Sequence, residues 1–238
     1  MYSEDIIMAK KNKNSSPEIE NIKIKKCIPV KTDIIRPNDS IVDMALKYVK
    51  PLLAAGDIVV CSEKAVAISQ GGVIDEKDVR VGILAKLLSR FVIKSPYGIG
   101  MRDPRSMQVA INMVGRTRIL LASFIGGGAK LFGKAGYFYR VAGPEVSRID
   151  GVVEHRFADL NKYIVPPPKN PDRIALEISR ALDGIPVVIM DVNDIGGSNI
   201  VGKSHDDLPT SEIEDFMRYD NPLGQAKQQT PIGILRFE

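Results

Sequence analysis

The feature that most constrains this chain is the run Ile185-Pro-Val-Val-Ile-Met190, which stops at the polar cluster Asp191-Val192-Asn193-Asp194 and is followed by Gly196-Gly197. A short β-branched run bounded by turn residues reads as a buried strand. Acidic and amide groups are costly inside an apolar layer, but at a strand's carboxyl end they can face a crevice. Ahead of this strand, Pro171 to Leu182 reads as a helix with proline at its first position. Asp183-Gly184 then supplies the turn.

The same loose alternation runs through the chain. Ile22–Val30 alternates as a strand does, Asp39-Ser40 starts a helix, and Ile41, Met44, Ala45, Tyr48, Val49 and Leu52 fall at helical spacing. Ile58–Cys61 reads as a strand after the Ala54–Asp57 turn, and Ala65–Ser69 as a second short one. A helix is expected over roughly Glu76–Phe91, an extended loop over 95–105, and a short helix over Ser106–Val114. Arg118–Ile125 reads as an apolar strand, Gly126-Gly127-Gly128 as a glycine-rich loop, and Tyr137–Ala142 as another strand. Residues 143–170 read as irregular. Ser211 and Glu214 form a capping-box pattern, and Pro231–Phe237 is the final strand. The expected fold class is mixed α/β, or α+β, without internal repeats. Residues 1–21 read as a disordered tail and 22–238 as the folded domain, with room for two intertwined subdomains.

Composition narrows the function classes. Lys and Arg total 33 against 29 Asp and Glu, and the first 26 residues hold six lysines against four acids, so the body is nearly neutral. That argues against a dedicated nucleic-acid surface. Two cysteines and two histidines build neither a disulfide framework nor a cysteine-based zinc site. His155 and His205 have no ligand-spaced partner, and Cys61 reads as a buried thiol. No stretch of 18 apolar residues predicts a membrane helix, and the start lacks the apolar core of a secretion signal, so the cytoplasm is the expected location.

Four stretches carry candidate chemistry. Asp191 with Asn193 and Asp194 offers hard oxygen ligands for Mg²⁺ or Mn²⁺, or else an Asx turn ending the strand. Gly128 to Ala135 fits the GxxxxGK spacing, but Ala135 lacks the metal-binding hydroxyl of a phosphate loop, and a plain hairpin connection fits as well. In Gly224-Gln225-Ala-Lys227-Gln-Gln-Thr-Pro231, Gln225 is a possible oxygen ligand and Lys227 a phosphate contact, unless this is a solvated loop. In Gly143-Pro-Glu145-Val-Ser-Arg148-Ile-Asp150, carboxylates sit beside an arginine after a glycine, which alone also describes a turn.

Together, and in chain order, these pieces resemble the F420-0:gamma-glutamyl ligase family. Ile28-Pro29-Val30 through Asp39, Gly56-Asp57 to Ser62, and Gln70-Gly71 are similar to its opening segments. Val165-Pro166-Pro167-Pro168 is similar to its proline-bracketed connection, Val187–Asn193 to its apolar strand ending in Asp, and Gly224–Pro231 to its last nucleotide loop. The resemblance covers most of the chain from about residue 27. It implies metal ligation by Glu145, Asp191 and Gln225, with Glu145 standing where the family has Asp. It also implies nucleotide contacts from Thr32, Asp33, Ile34, Ile35, Ser62, Glu63, Arg148 and Lys227. Three positions depart from the family: Val192 for Thr, Arg148 for Asn, and Ile68 for Lys, with Lys64 a substitute from a different position.

What the resemblance implies chemically is a carboxylate–amine ligase that uses GTP or ATP with Mg²⁺ or Mn²⁺, proceeds through an acyl phosphate, and forms a homodimer. An amide cannot form from a carboxylate without activation, and phosphoryl transfer asks for charge neutralisation more than for a protein nucleophile. The alternative is a ligase-like fold that binds a nucleotide or phosphorylated ligand with different chemistry or none. A regulatory or interaction protein is the third possibility.

Overall fold

The computed structural model describes residues 23–92, 100–134, 136–151, 163–193, 197–219, 221, 223 and 228–237. The tail expected at 1–21 lies outside them. Along the chain run β1 (Ile24–Val30), α1 (Ile41–Met44), β2 (Ile58–Ser62), α2 (Glu63–Ser69), β3 (Ile74–Asp75), α3 (Ile83–Phe91), α4 (Pro104–Val114), α5 (Arg116–Leu131), α6 (Tyr137–Ala142), α7 (Pro144–Ser147), β4 (Tyr163–Ile164), α8 (Pro171–Ala181), β5 (Val187–Asn193), β6 (Gly197–Lys203), α9 (Thr210–Tyr219) and β7 (Ile232–Phe237). The fold is mixed α/β, as the sequence predicts.

A five-stranded sheet in the order β1-β7-β2-β5-β6 forms the centre. β2 and β5 are parallel, and the remaining neighbours are antiparallel. Side chains alternate across it with the period of a strand. Val59, Cys61, Val187, Ile189, Ile232 and Ile234 point to one face, where α1, α2 and α8 cover them through Ile41, Val66 and Ile178. Val60, Val188, Met190 and Leu235 point to the other, against Ile213 and Met217 of α9. A separate apolar cluster joins α3 to α7 with β4, around Met107, Ala110, Ile119, Ala122 and Ile164. The small β3–β4 sheet and an Asp150–Val165 bridge fasten this helical unit.

Several elements differ from expectation. Ala65–Ser69 is helical, because α2 leaves the end of β2 and buries Ala65, Val66 and Ala67. A five-residue apolar run has no length by which to distinguish strand from helix. Arg118–Ile125 belongs to α5, and Gly126-Gly127-Gly128 continues that helix instead of opening a loop. Glycine costs about 1 kcal/mol in a helix interior, but Gly126 has a packing reason. A Cβ there would lie 2.9 Å from the Cβ of Phe138, so the glycine lets α6 approach. Tyr137–Ala142 is that helix, not a strand. The start of the GxxxxGK pattern therefore lies inside α5, and Ala135 is outside the described residues. Glu145 sits in the one-turn α7, within a stretch that reads as irregular. Glu214 accepts from the Ile200 N–H at 2.7 Å, tying α9 to β6 in place of a capping box. β6 itself is not evident from its glycines and polar residues.

Ser40 caps α1 as expected, accepting from the Asp43 N–H at 3.1 Å. At Gly202 the start of α8 lies close against the sheet: a Cβ there would lie 2.6 Å from the backbone carbonyl carbon of Pro171 and 2.9 Å from the Asp172 nitrogen. Backbone cannot swing aside as a flexible side chain can. Gly202→Ala is therefore expected to lower stability by about 1–3 kcal/mol, measured by urea denaturation. An unchanged midpoint would contradict this packing.

Candidate functional site

The site follows from strand register. In the parallel β2–β5 pair, Ser62 lies opposite Met190. The next residues, Glu63 and Asp191, therefore emerge together where the parallel pairing ends, at the carboxyl end of β2 and near that of β5, where a crevice is expected in such sheets. The sheet ladder continues through Asp191 and Asn193, which pair with Asn199 and Gly197 of β6. The Asx-turn reading of Asp191 thus gives way to a strand residue.

The segment after α7 reaches this place from the helical unit. Arg148 Nη1 lies 3.5 Å from Glu63 Oε1, and Lys64 Nζ lies 3.0 Å from Asp150 Oδ2. Two cations and three carboxylates thus meet between the two units. Glu63 is buried, and its Oε1 has no hydrogen-bond partner. Burial pushes the Glu63 carboxyl up to about 8, Asp191 and Asp150 reinforce the shift, and Arg148 and Lys64 oppose it. Asp191 is also raised, first by burial and then by the charge of Asp150, against Lys64 and Arg148.

The other sequence-derived residues fall as follows. Glu145 Oε1 pairs with Arg118 Nη1 at 3.2 Å, over Gly143, whose φ of 111° and crowding by both side chains leave no room for a Cβ. Thr32 is buried, and its N–H donates to the Gln229 carbonyl at 3.0 Å. Asp33 is exposed and accepts from the Tyr48 hydroxyl and from Lys47 Nζ, which hold its carboxyl below the usual range. Ile34 is partly exposed, whereas Ile35 belongs to the core beside α1. The Ser62 N–H donates to the Pro231 carbonyl at 2.8 Å. Gln225 and Lys227 lie outside the described residues, as does Asp194, and the side chain of Asn193 is likewise not described. The chain just after Lys227 is nevertheless stitched to Thr32 and Ser62 through Gln229 and Pro231.

Asp150 and Lys64 are the contributors that sequence reasoning underused. The signal was present: Asp150 lies two residues beyond Arg148, and Lys64 opens a helix directly after an apolar strand. Among the described residues no three His, Cys, Asp or Glu side chains form a ready-made metal cage. The oxygen donors still suit a hard divalent ion, since Mg²⁺ is usually held by one or two carboxylates together with substrate phosphates. Asp150 and Asp191, close enough to repel, fit that description, as does the buried Glu63 carboxyl, whose Oε1 has the Arg148 guanidinium beside it but no hydrogen bond.

Carboxylates and cations gathered where the parallel pairing of two strands ends form the kind of place at which α/β sheets carry ligand crevices. The model of the F420-0:gamma-glutamyl ligase family matches residues 29–194. The chain belongs to this family, and its fold and recognisable motifs agree with that membership. A search of curated proteins found no match to the chain.

The buried Glu63 gives a pH signature. An acid that stays protonated in the fold but ionises in the unfolded chain makes stability fall as pH rises from the ordinary 4.5 to about 8, by up to about 1.4 kcal/mol per pH unit. Above that window the loss is complete. Glu63→Gln is expected to flatten this slope in thermal melts across the range and to be the more stable form at its alkaline end. Parallel slopes for the two proteins would contradict a protonated Glu63.

Proposed function

We propose that this protein is a nucleotide- and divalent-metal-dependent ligase joining a carboxylate to an amine, of the gamma-glutamyl type used in making coenzyme F420. The family match supports the ligase class and the F420 pathway. The observation that carries the finer reading is the register of β2 and β5, which sets Glu63, Lys64 and Asp191 beside Arg148 and Asp150. Asp191 and Asp150 would hold Mg²⁺ or Mn²⁺, with Gln225 contributed by the loop that returns to Ser62 and Thr32. The bound ion would neutralise phosphate charge. Glu145, the ligand that the family pattern favours, would have to leave Arg118 to join them.

Lys64, Arg148 and Lys227 would face the phosphates of GTP or ATP, and residues 32–35 with Ser62 would border the nucleotide. The carboxylate oxygen attacks the terminal phosphorus, the nucleoside diphosphate leaves, and an acyl phosphate results. The amine nitrogen then attacks the acyl carbon, inorganic phosphate departs, and the amine proton passes to a base. Among this chain's residues, Glu63 sits where it could hold such a proton once Asp191 is screened. Such chemistry requires no cysteine or histidine nucleophile, which agrees with the buried Cys61, whose thiol is pushed up to about 12 by burial. A homodimer in the cytoplasm is the setting this reading adopts.

One observation favours a second reading, a ligase-like fold that binds a phosphorylated ligand without this reaction. Arg148 stands where the family has Asn and is already engaged with Glu63. The test is incubation with GTP or ATP, Mg²⁺ or Mn²⁺, glutamate and a deazaflavin acceptor, following nucleoside diphosphate and the mass of the product. Acceptor-dependent diphosphate release is expected, and Asp191→Asn should reduce it by roughly 100-fold or more. Metal-dependent nucleotide binding without turnover would favour the second reading. Nucleotide and metal binding unaffected by Asp191→Asn would refute the assigned site.

A further inference from the structure

We infer that the exposed apolar face of α5 is the surface through which two copies of this chain pair, helix against helix about a two-fold axis. This deepens the dimer in the reading above and rests on it. Leu120, Leu121, Phe124 and Leu131 are 48, 53, 81 and 86% exposed. They recur at the three- and four-residue spacing of one helix face. The opposite side is spent within the chain: Ile119 and Ala122 are fully buried, and Gly126 packs on Phe138. Phe132, just past the helix, is 81% exposed.

The amount of surface points to a stable partner. At about 150–250 Å² per aromatic side chain, the two phenylalanines alone present roughly 240–400 Å². Adding the leucines takes the patch to the upper part of the roughly 300–600 Å² of a typical monomer's largest one. On α3, Ile83, Leu87 and Phe91 form a second exposed stripe at four-residue spacing.

A second copy is the occupant that the pattern of sizes fits. Gly127 and Gly128 have open space where a side chain would stand. In an antiparallel pair crossing between Ile125 and Gly126, Phe124 of one protomer meets Gly127 of its partner, and Leu120 meets Leu131. The phenylalanine faces a glycine, leucine meets leucine at the flank, and the relation is reciprocal, as two-fold pairing requires. From Ile119 to Ala129 there is no ionisable side chain to desolvate, and Arg118 is already paired with Glu145. A membrane is the competing partner. Among the described residues no single helix is long and apolar enough to cross one, and α4 and α5, which would suffice together, are bent by 118°.

Sedimentation of the full chain tests the surface. The wild type is expected to be a dimer. Phe124→Glu combined with Leu131→Glu is expected to weaken self-association roughly 100-fold or more. Its circular dichroism as a monomer should stay native, because both side chains are exposed. Phe124→Cys should give dimers with a short bis-maleimide, whereas Tyr219→Cys on α9, 87% exposed, should not exceed the wild-type background. A wild-type dimer that survives the double substitution overturns the α5 surface but leaves the dimer standing. A monomeric wild type overturns both, and flotation of that monomer with anionic vesicles would assign the face to a membrane.

Discussion

The parallel pairing of β2 with β5 is the constraint on which the rest of this structure depends. It requires a crossover between strands that stand far apart in sequence, and that crossover contains the whole helical unit as well as α8. The pairing also sets Ser62 opposite Met190, which delivers Glu63 and Asp191 to one place although 128 positions separate their numbers. A shift of one residue in a strand buried on both faces would turn Val60, Val188 and Met190 toward the wrong cluster. The interior packing that fixes the register therefore also fixes the geometry of the site.

How much of this was legible in the sequence depends on the kind of signal. The central strands were readable because an apolar β-branched run has few other uses, and the Ser40 cap and the Pro171 helix start carry their own local chemistry. The helices α5 and α6 were not, because three consecutive glycines speak locally against a helix. The override is tertiary, a glycine accepting Phe138 at close range, and a propensity argument has no access to it. In the site, Asp191 stood out by the contrast between a carboxylate and the apolar run before it. The roles of Lys64 and Asp150 depend on a contact between two units of the fold, which spacing along the chain does not encode.

The site's electrostatics explain why a nearly neutral body is compatible with a charged function. Many opposite charges pair off elsewhere, as Lys47 does with Asp33 and Arg236 with Asp57, but one group of them gathers at the junction of the two units. There burial works against ionisation, and each cation faces a carboxylate: Arg148 faces Glu63, and Lys64 faces Asp150. The Lys64–Asp150 ion pair and the contact of Arg148 with the Glu63 carboxyl bridge the two units. They are also the groups that a phosphate and a divalent ion would most directly compete for, so ligand binding and the docking of the helical unit share the same charges.

The position of β7 has a consequence for how the chain is made. It follows the other described strands in sequence, yet it lies second in the sheet, hydrogen-bonded to β1 on one side and β2 on the other. During synthesis β1 and β2 emerge early and cannot become neighbours through each other. Their polar edges stay open until residues 232–237 slide between them, and open edges of this kind are templates for unwanted pairing. The matched stretch 29–194 holds β2 but only the last two residues of β1, and not β7. The sheet thus closes only once β7 has been made, and termination anywhere before β7 would leave β1 without its hydrogen-bonding neighbour in the sheet.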